Sequence, residues 1–462
     1  MVNMNMKKII ISLILFYLRF FAKIALVIHR PKIIGIAGSA GKSSTKNAIE
    51  AILKDHFRVV ALKGNSEVGL PLSLLGIQLD LYSKENIKIW LKLLLLVPLG
   101  ITYLKKFEYL IVEMGIDDPL PPKNMTYLLK IIKPDIALSL NISGTHTEQF
   151  EKILPENQQM NSLEKHEHIL NKMAEEDTKI ITQSNCSCAF YNDDDQYLKR
   201  ALQNYIKNNH TKCKSFGKNK NNTLSFLDYQ VDLTKSMFSF LSTEGEIKIE
   251  FSQMLLPQVY QYTFGAAILA GLECGLTLEQ IKTALSKNFQ LPKSRSSLLL
   301  GKKNSIIIDS SYNASKQPVL TFLDLAFSLK KQTKRPLVFI FGDMRELGQF
   351  AKSEHEEVAQ KINQTVDALY CVGELSKKYV LPQIKTNTEI SVKWFSHALA
   401  LGRHLKENLP VNALLLFKGS QNTIFLEEAV KILLQNPSDS KKLCRQEPFW
   451  LKQKEKYWQQ VN

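Results

Sequence analysis

The chain has 462 residues, a formal net charge of +16 and a hydrophobic fraction of 45%. That length divides into two or three domains, and that apolar content excludes an intrinsically disordered chain. The cations are scattered rather than blocked and no DNA- or RNA-binding motif accompanies them, so the expected partner is an anionic nucleotide or an anionic membrane, not nucleic acid.

The first element is apolar. Ile9 to Ile28 is interrupted only by Ser12, Arg19 and Lys23, and Lys7-Lys8 precede it. It has the length of a membrane span and the basic start of a secretory signal, but no small-residue cleavage site comes after it. Arg19 and Lys23 oppose a lipid-centred helix. On a helix Ser12, Arg19, Lys23 and Arg30 share one narrow stripe. The segment is therefore expected as an amphipathic helix over residues 1–32, lying in a membrane interface or packed on the protein's own surface. A second apolar stretch, Ile87 to Leu104, carries Lys88 and Lys92 one turn apart and ends at Lys105-Lys106.

Between these stretches stands the most informative motif. Ile33-Ile34 lead into Gly35-Ile36-Ala37-Gly38-Ser39-Ala40-Gly41-Lys42-Ser43-Ser44-Thr45, and Lys46 to Leu53 reads as a helix. Strand, glycine loop and helix in that order make a phosphate cradle: backbone N–H groups and the positive helix end face phosphate oxygens. Gly38, Ser39, Ala40, Gly41, Lys42, Ser43 and Ser44 are the candidate ATP-binding residues, with Lys42 on the β/γ-phosphates and Ser43 on a Mg²⁺. The glycines recur every third residue, unlike the usual loop with four residues between its first glycine and Gly-Lys.

Beyond it, short apolar runs alternate with helices, the pattern of an α/β fold with a largely parallel sheet. Tyr109 to Val112 is an expected strand ending in Glu113-Met114-Gly115. Asp135 to Leu140 is another, ending in Asn141 to His146, and Lys179 to Thr182 is expected as a third. Residues at the carboxyl ends of such strands line a ligand crevice, which places Glu113, Asn141 and His146 there. Glu113 suits a Mg²⁺, and His146 lies among polar residues, as a ligand would. Residues 224–253 alternate like hairpins, Gly265 to Gly271 opens a small-residue helix, and a boundary is expected near Leu291 to Ser294. The α/β pattern then restarts with strands at Ser305 to Ile308, Pro336 to Phe341, Ala368 to Val372 and Ala413 to Phe417. The expected domains are 33–293, a central ATP-binding domain, and 294–440, a smaller Rossmann-like one. A basic tail, 441–462, completes the chain, either a docking helix or a loose end. The six cysteines form no CxxC pair. Cys186, Cys188 and Cys213 do not have a zinc-ribbon spacing and read as ordinary thiols.

The glycine rhythm and the segments after it resemble the Mur ligase family in its MurF branch. The family's Asn-x-x-Gly-hydrophobic-Pro resembles Asn65 to Pro71, its Glu-Met-Gly resembles Glu113 to Gly115, and its Asn-Ile…His resembles Asn141-Ile142 with His146. Its Lys-x-Glu segment is similar to Lys165-His166-Glu167, and its Asn-Asp-Asp to Asn192-Asp193-Asp194. Farther on, Ser294-Arg295, Asp309 to Ala314, Gly342-Asp343-Met344-Arg345-Glu346-Leu347-Gly348 with His355, and Lys418-Gly419-Ser420 continue the resemblance, which covers about residues 33 to 435.

The resemblance implies an ATP-dependent, amide-forming ligase of cell-wall precursor synthesis, acting through an acyl phosphate, with ATP and Mg²⁺ as cofactors. It implies catalytic roles for Lys42, Glu113, His146 and Lys165, and metal ligation by Ser43, Glu113, His146 and a carbamylated Lys165. It implies nucleotide contacts from Arg295 and Asp309, and Tyr312 and Asn313 near the incoming amine. The implied partners are an anionic nucleotide-linked or lipid-linked peptide and an amine like D-Ala-D-Ala. ATP use puts the enzyme in the cytoplasm, and residues 9–28 are expected either as a contact to the inner membrane face or as a helix packed on the protein itself.

Three departures stand out. The glycine loop starts at Gly35, so the family's uridine-reading domain is expected to be missing or replaced. The adenine-side motif is degraded in Pro257 to Phe264, and the second aspartate of the family's Asp-Asp pair is Ser310. Alternatives are a ligase with a folylpolyglutamate-type or lipid-type acceptor, a membrane-associated scaffold that binds ATP without ligation, and a nucleic-acid-stimulated ATPase.

Overall fold

The computed structural model describes residues 2–77, 87–144, 147–154, 161–208, 211–385, 390–420 and 423–461. Two compact units emerge: Met1–Leu227 with Phe240–Ile247 and Gln261–Phe289, and Asp228–Ser239 with Lys248–Tyr260 and Gln290–Asn462.

The first unit is built around β1 (Lys32–Ala37), whose residues after Lys32 are all buried. Strands β2 (Val59–Ala61), β3 (Tyr109–Glu113), β4 (Ile136–Ser139), β5 (Cys188–Asn192) and β6 (Lys212–Gly217) join it in the order β2-β3-β1-β4-β5-β6. All of these pairs are parallel. A strand covered on both faces has no polar side, so Ile33-Ile34 and Tyr109 to Val112 read as continuous apolar runs. Strands β7 (Leu224–Val231), β8 (Lys235–Ser242) and β9 (Gly245–Ser252) come next in the strand order, as the alternation over 224–253 predicts, and their residues are divided between the two units.

The expected strand at Lys179 to Thr182 is instead a turn of helix, just after the long helix Ser162–Asp177. Thr178 joins the two, its hydroxyl donating to the Ala174 carbonyl at 2.7 Å. Ile180 and Ile181 are both buried without belonging to the sheet. Short apolar runs carry no periodicity that separates a strand from a buried helix turn.

Helix α1 (Val2–His29) lies on this unit. Leu15, Leu18, Ala22 and Ala25 recur at helical spacing and are buried. They join one core with Leu93 and Val97 of α4 (Ile87–Leu99), α2 (Lys42–Leu53) and α3 (Gly69–Leu74) intervening in the chain. The Tyr17 hydroxyl donates to the Leu94 carbonyl at 2.6 Å, and the His29 ring meets the Ile101 carbonyl at 3.0 Å. The expected polar stripe is only partly free: Ser12, Lys23 and Arg30 are exposed, while the Arg19 guanidinium is half-buried, 5.5 Å from the Tyr127 ring centre.

The second unit holds a six-stranded sheet of β10 (Ser297–Leu300), β11 (Ile306–Ser310), β12 (Leu337–Gly342), β13 (Ala368–Val372), β14 (Ser391–Phe395) and β15 (Leu414–Lys418). Its order is β10-β11-β15-β12-β13-β14. Every pair is parallel except the edge pair β10–β11.

The basic tail is docked. Helix Pro448–Val461 comes after Arg445, whose guanidinium meets the Glu427 carboxylate at 2.9 and 3.0 Å and donates to the carbonyls of Ser311 and Tyr312. Lys454 reaches Glu427 at 2.9 Å and Glu428 at 2.6 Å. Glu427 is fully buried beneath both cations. Removing one member of a buried ionic group leaves the others desolvated and uncompensated, which costs about 3–5 kcal/mol. Glu427→Ala is therefore expected to lower stability by about that amount, with calorimetry showing an earlier transition; a midpoint equal to the parent's would mean that the tail is held by its apolar contacts alone.

Candidate phosphate-binding and ligation site

The glycine loop is shaped by backbone constraints. Gly38 has φ +134°, and a Cβ there would lie 3.0 Å from the Leu140 Cβ and 3.2 Å from the Asn141 nitrogen. Gly41, just before α2, is left-handed at φ +86°. Both conformations belong to glycine. Asn141, immediately beyond β4, ties the loop down. Its carbonyl accepts from the Ser39 N–H at 2.8 Å, its Oδ1 from the Ala40 N–H at 3.0 Å, and its Nδ2 donates to the Ala40 carbonyl at 2.9 Å.

The start of α2 follows directly on the glycine loop and carries no side-chain cap. Helices Ser162–Asp177 and Leu278–Asn288 have full capping boxes, whereas no side chain caps α2. The first amides of a helix need acceptors from outside it, and an uncapped start presents them with the positive end of the dipole to an anion. Lys42 stands at this start and folds back to donate to the Gly38 carbonyl.

The Ser43 hydroxyl donates to Glu113 Oε2 at 3.0 Å, and Lys46 Nζ lies 2.7 Å from Glu113 Oε1. Ser43 and Glu113 together present hard oxygen donors at the helix start, a set that fits Mg²⁺. Lys46 was not anticipated as part of this site. Its signal was present: it lies one helical turn after Lys42 and shares its face. Asn65 to Pro71 lies against the same strand end, because the Gly115 N–H donates to the Asn65 carbonyl at 3.3 Å. Gly64 is obligatory there, as a Cβ would stand 1.9 Å from the Gly69 oxygen.

Asp177 is the other unanticipated group. It ends a helix that brings it under the loop, where its Oδ1 accepts from the Gly38 N–H at 3.2 Å. Burial raises its carboxyl to about 7, against the opposing pull of Lys42 and the Gly38 N–H. With Gly38, Ser39, Lys42, Ile116, Phe150 and Met173 it lines a small cleft. Asp195 is likewise raised by burial and accepts the Ile142 N–H at 2.7 Å, fixing the segment after Asn141. No local sequence pattern marks Asp177, which folding alone brings beneath the loop, whereas Asp195 stands at the start of helix Gln196–Asn208 and also accepts from its Tyr197 and Leu198 N–H groups.

Lys165 sits half-buried in the first turn of Ser162–Asp177, behind the Asn161–Glu164 capping box. His146 lies outside the described residues. Among the described residues, no cluster of three or more His, Cys, Asp or Glu forms a metal site, and the six cysteines are free thiols. In the degraded adenine-side stretch, the Tyr262 hydroxyl donates to Asp194 of the Asn-Asp-Asp turn at 2.8 Å and its ring packs edge-on to Phe226 at 5.0 Å.

In the second unit the signature segments meet at the carboxyl ends of β11, β15 and β12. Asp309 is fully buried, accepts the Ser311 N–H at 3.0 Å and is raised by that burial. Lys418 donates to the Ser310 hydroxyl at 3.1 Å and the Asn313 carbonyl at 2.5 Å. Burial, with the Arg295 charge adding to it, pushes the Lys418 ammonium down to about 7. Ser420 accepts the Arg345 N–H at 3.0 Å and donates to the Ala314 carbonyl at 3.2 Å. His355 is a buried positioning group: Nε2 accepts the Met344 N–H at 3.1 Å while Nδ1 faces the Ala351 carbonyl at 2.6 Å. The Arg295 guanidinium stacks 4.5 Å from the Tyr312 ring centre, and Asn313 is exposed.

Comparison with known proteins matches residues 36–270 to the Mur ligase middle domain and residues 295–421 to the Mur ligase glutamate ligase domain. The UDP-N-acetylmuramoyl-tripeptide--D-alanyl-D-alanine ligase of Bacillus subtilis is 26% identical over 410 residues, 88% of this chain and 76% of that protein. The enzyme of the same name from Buchnera aphidicola is 25% identical over 75% of this chain, which spans only 64% of that relative's length. In structure the chain is similar to MurF from Acinetobacter baumannii, with a TM-score of 0.68 and 19% identity over 90% of this chain and 79% of that one. MurF ligase from Thermotoga maritima in complex with ADP gives 0.68 at 19% identity, over 90% and 83%. Folylpolyglutamate synthase from Thermotoga maritima gives 0.55 at 12% identity, over 89% and 92%.

The buried carboxyl of Asp177 has a thermodynamic signature. Between the ordinary aspartate value of 3.8 and about 7 the unfolded chain ionises this group while the fold keeps it protonated. Its contribution to stability therefore falls as pH rises through that window. Asp177→Asn keeps an acceptor for the Gly38 N–H and removes the titration. Its stability relative to the parent is expected to rise from pH 4 to pH 7 and then level off in denaturant titrations; parallel profiles would mean that Asp177 is ionised in the fold.

Proposed function

The chain belongs to the Mur ligase family, and on that premise we propose that it is an ATP-dependent amide-forming ligase of peptidoglycan precursor synthesis, adding D-Ala-D-Ala to a UDP-MurNAc-peptide carboxylate. The observation that carries this reading is the uncapped start of α2, with Lys42 upon it and the Ser43–Glu113 pair beside it. The curated relatives that bear the MurF ligase name support the choice of substrates.

In the proposed reaction a carboxylate oxygen of the acceptor attacks the γ-phosphorus of ATP, and ADP leaves. The acyl phosphate is then attacked by the amine, whose nitrogen bonds to the carbonyl carbon and loses its proton as inorganic phosphate departs. Lys42 and the first amides of α2 stabilise charge on the phosphoryl oxygens during transfer. Ser43 and Glu113 would hold a Mg²⁺, with His146 and a carbamylated Lys165 as ligands of a second. The metal's contribution when bound is to neutralise phosphate charge. Lys46 holds the Glu113 carboxylate in place. Arg295 and Asp309 engage the nucleotide, and Tyr312 and Asn313 the amine substrate. The enzyme works in the cytoplasm, with residues 9–28 as its contact to the inner membrane face. That contact leaves a lipid-linked peptide as the second class of acceptor.

The test is phosphate release from ATP with UDP-MurNAc-tripeptide and D-Ala-D-Ala, each present or omitted. Release is expected to require both, and Lys42→Ala is expected to lower it by about a hundredfold or more. Undiminished release in Lys42→Ala would overturn the assignment of the loop. Release with a folate-linked glutamate acceptor instead would move the chain to the other branch of the family.

A further inference from the structure

The side of α1 that faces away from the core is as apolar as the side that faces it. Leu13, Phe16, Phe20 and Val27 recur on one helical face, opposite the buried Leu15, Leu18, Ala22 and Ala25. With Leu95 and Leu99 of α4 they are between 50% and 76% exposed. Soluble monomers rarely leave so many large apolar side chains together in water, and where they do the patch has a partner.

The charge around the patch identifies that partner. Residues 2–32 carry six Lys or Arg and no Asp or Glu, and residues 87–107 carry four Lys and no acid. At the carboxyl end of α1 a cleft of about 410 Å³ opens beside the patch, walled by apolar residues including Leu26, Val27 and Ile131. Four cations line it, Lys23, Arg30, Lys130 and Lys133. All four are exposed, and none makes an ion pair with a described residue. An apolar face bordered by cations alone is complementary to a surface with an apolar interior and anionic headgroups. A second copy of the chain would bring the same cations against each other across a two-fold axis.

We propose that the outward face of α1 and α4 is a docking surface for an anionic phospholipid bilayer, with α1 lying in the plane of the interface and the cleft receiving phosphate headgroups. The helix does not cross the membrane in this arrangement. Although Ile9–His29 is long and apolar enough to span, its inner face is committed to the protein core, and β1 begins three residues after His29. A helix with one side in a folded domain cannot be ringed by lipid. The proposal rests on the membrane-contact reading of residues 9–28 and not on the ligation chemistry.

The test is co-sedimentation of the full chain with vesicles of phosphatidylcholine, with and without roughly a third phosphatidylglycerol, in the absence of ATP and peptide. Binding is expected on the anionic vesicles and is expected to weaken as salt is raised. The exposed pairs Phe16→Ser/Phe20→Ser and Leu95→Ser/Leu99→Ser should each reduce it about tenfold or more. The cleft variant Lys130→Glu/Lys133→Glu should abolish the preference for anionic lipid. Circular dichroism and the thermal unfolding midpoint report that each variant is folded, and the α4 pair keeps the test decisive where the α1 pair fails to fold. No binding by the intact chain, or parental binding by the folded variants, would overturn the proposal. So would a dimer in sedimentation equilibrium that Phe16→Ser/Phe20→Ser dissolves, which would assign the face to a second copy. Vesicle binding needs no substrate, so its failure leaves the ligase reading untouched, and a failed ligase assay leaves this one untouched.

Discussion

The first unit depends on how Asn141 holds the glycine loop. A loop of small residues has little to anchor it, and this one has no Cβ at two of its turning points. Three hydrogen bonds from one asparagine at the end of the neighbouring strand replace that anchorage. With the loop fixed from that side, its path need not be stabilised by a cap on α2, and the first amides of the helix stay directed at the place where a phosphate would lie. β4 positions Asn141 and β3 positions Glu113, on either side of β1, so the parallel register of three strands becomes the geometry of the site.

Charge is held in the same way. Lys42, Lys46, Glu113 and Asp177 are drawn close, and each is fixed by a bond that limits where its charge can go. Glu113 is shared between the Ser43 hydroxyl and Lys46. Asp177, buried beneath the loop, is about half protonated near pH 7, so it serves the Gly38 N–H while setting only part of a negative charge against Lys42. In the second unit the substitution of a hydroxyl for a carboxylate at Ser310 has a similar consequence. Lys418 is held by a hydroxyl and carbonyls, and burial brings its ammonium to the edge of ionisation.

Much of this was legible in the sequence because the residues concerned are constrained by local chemistry. Gly38 and Gly41 hold positive-φ backbone that other residues rarely adopt. Lys42 and Ser43 are set by the handover from strand to helix. Glu113 and Asn141 end apolar runs that form strands of the parallel sheet. Lys179 to Thr182 was not legible, since two buried isoleucines side by side satisfy a strand and a helix turn equally well. The fate of the tail was also open, because Arg445 and Lys454 are ordinary cations until Glu427 is found buried between them.

The sequence alone determined the α/β class, the glycine loop between strand and helix and the order of the signature segments, for these depend on residue type at short spacing. Tertiary structure decided which distant groups share the loop's surroundings: Asp177 arrives through helix packing that leaves no local pattern. It also decided the meaning of the first thirty residues. Apolar spacing shows that α1 has two greasy sides, but only packing shows which side the core takes, and the side left in water is the one that calls for a partner.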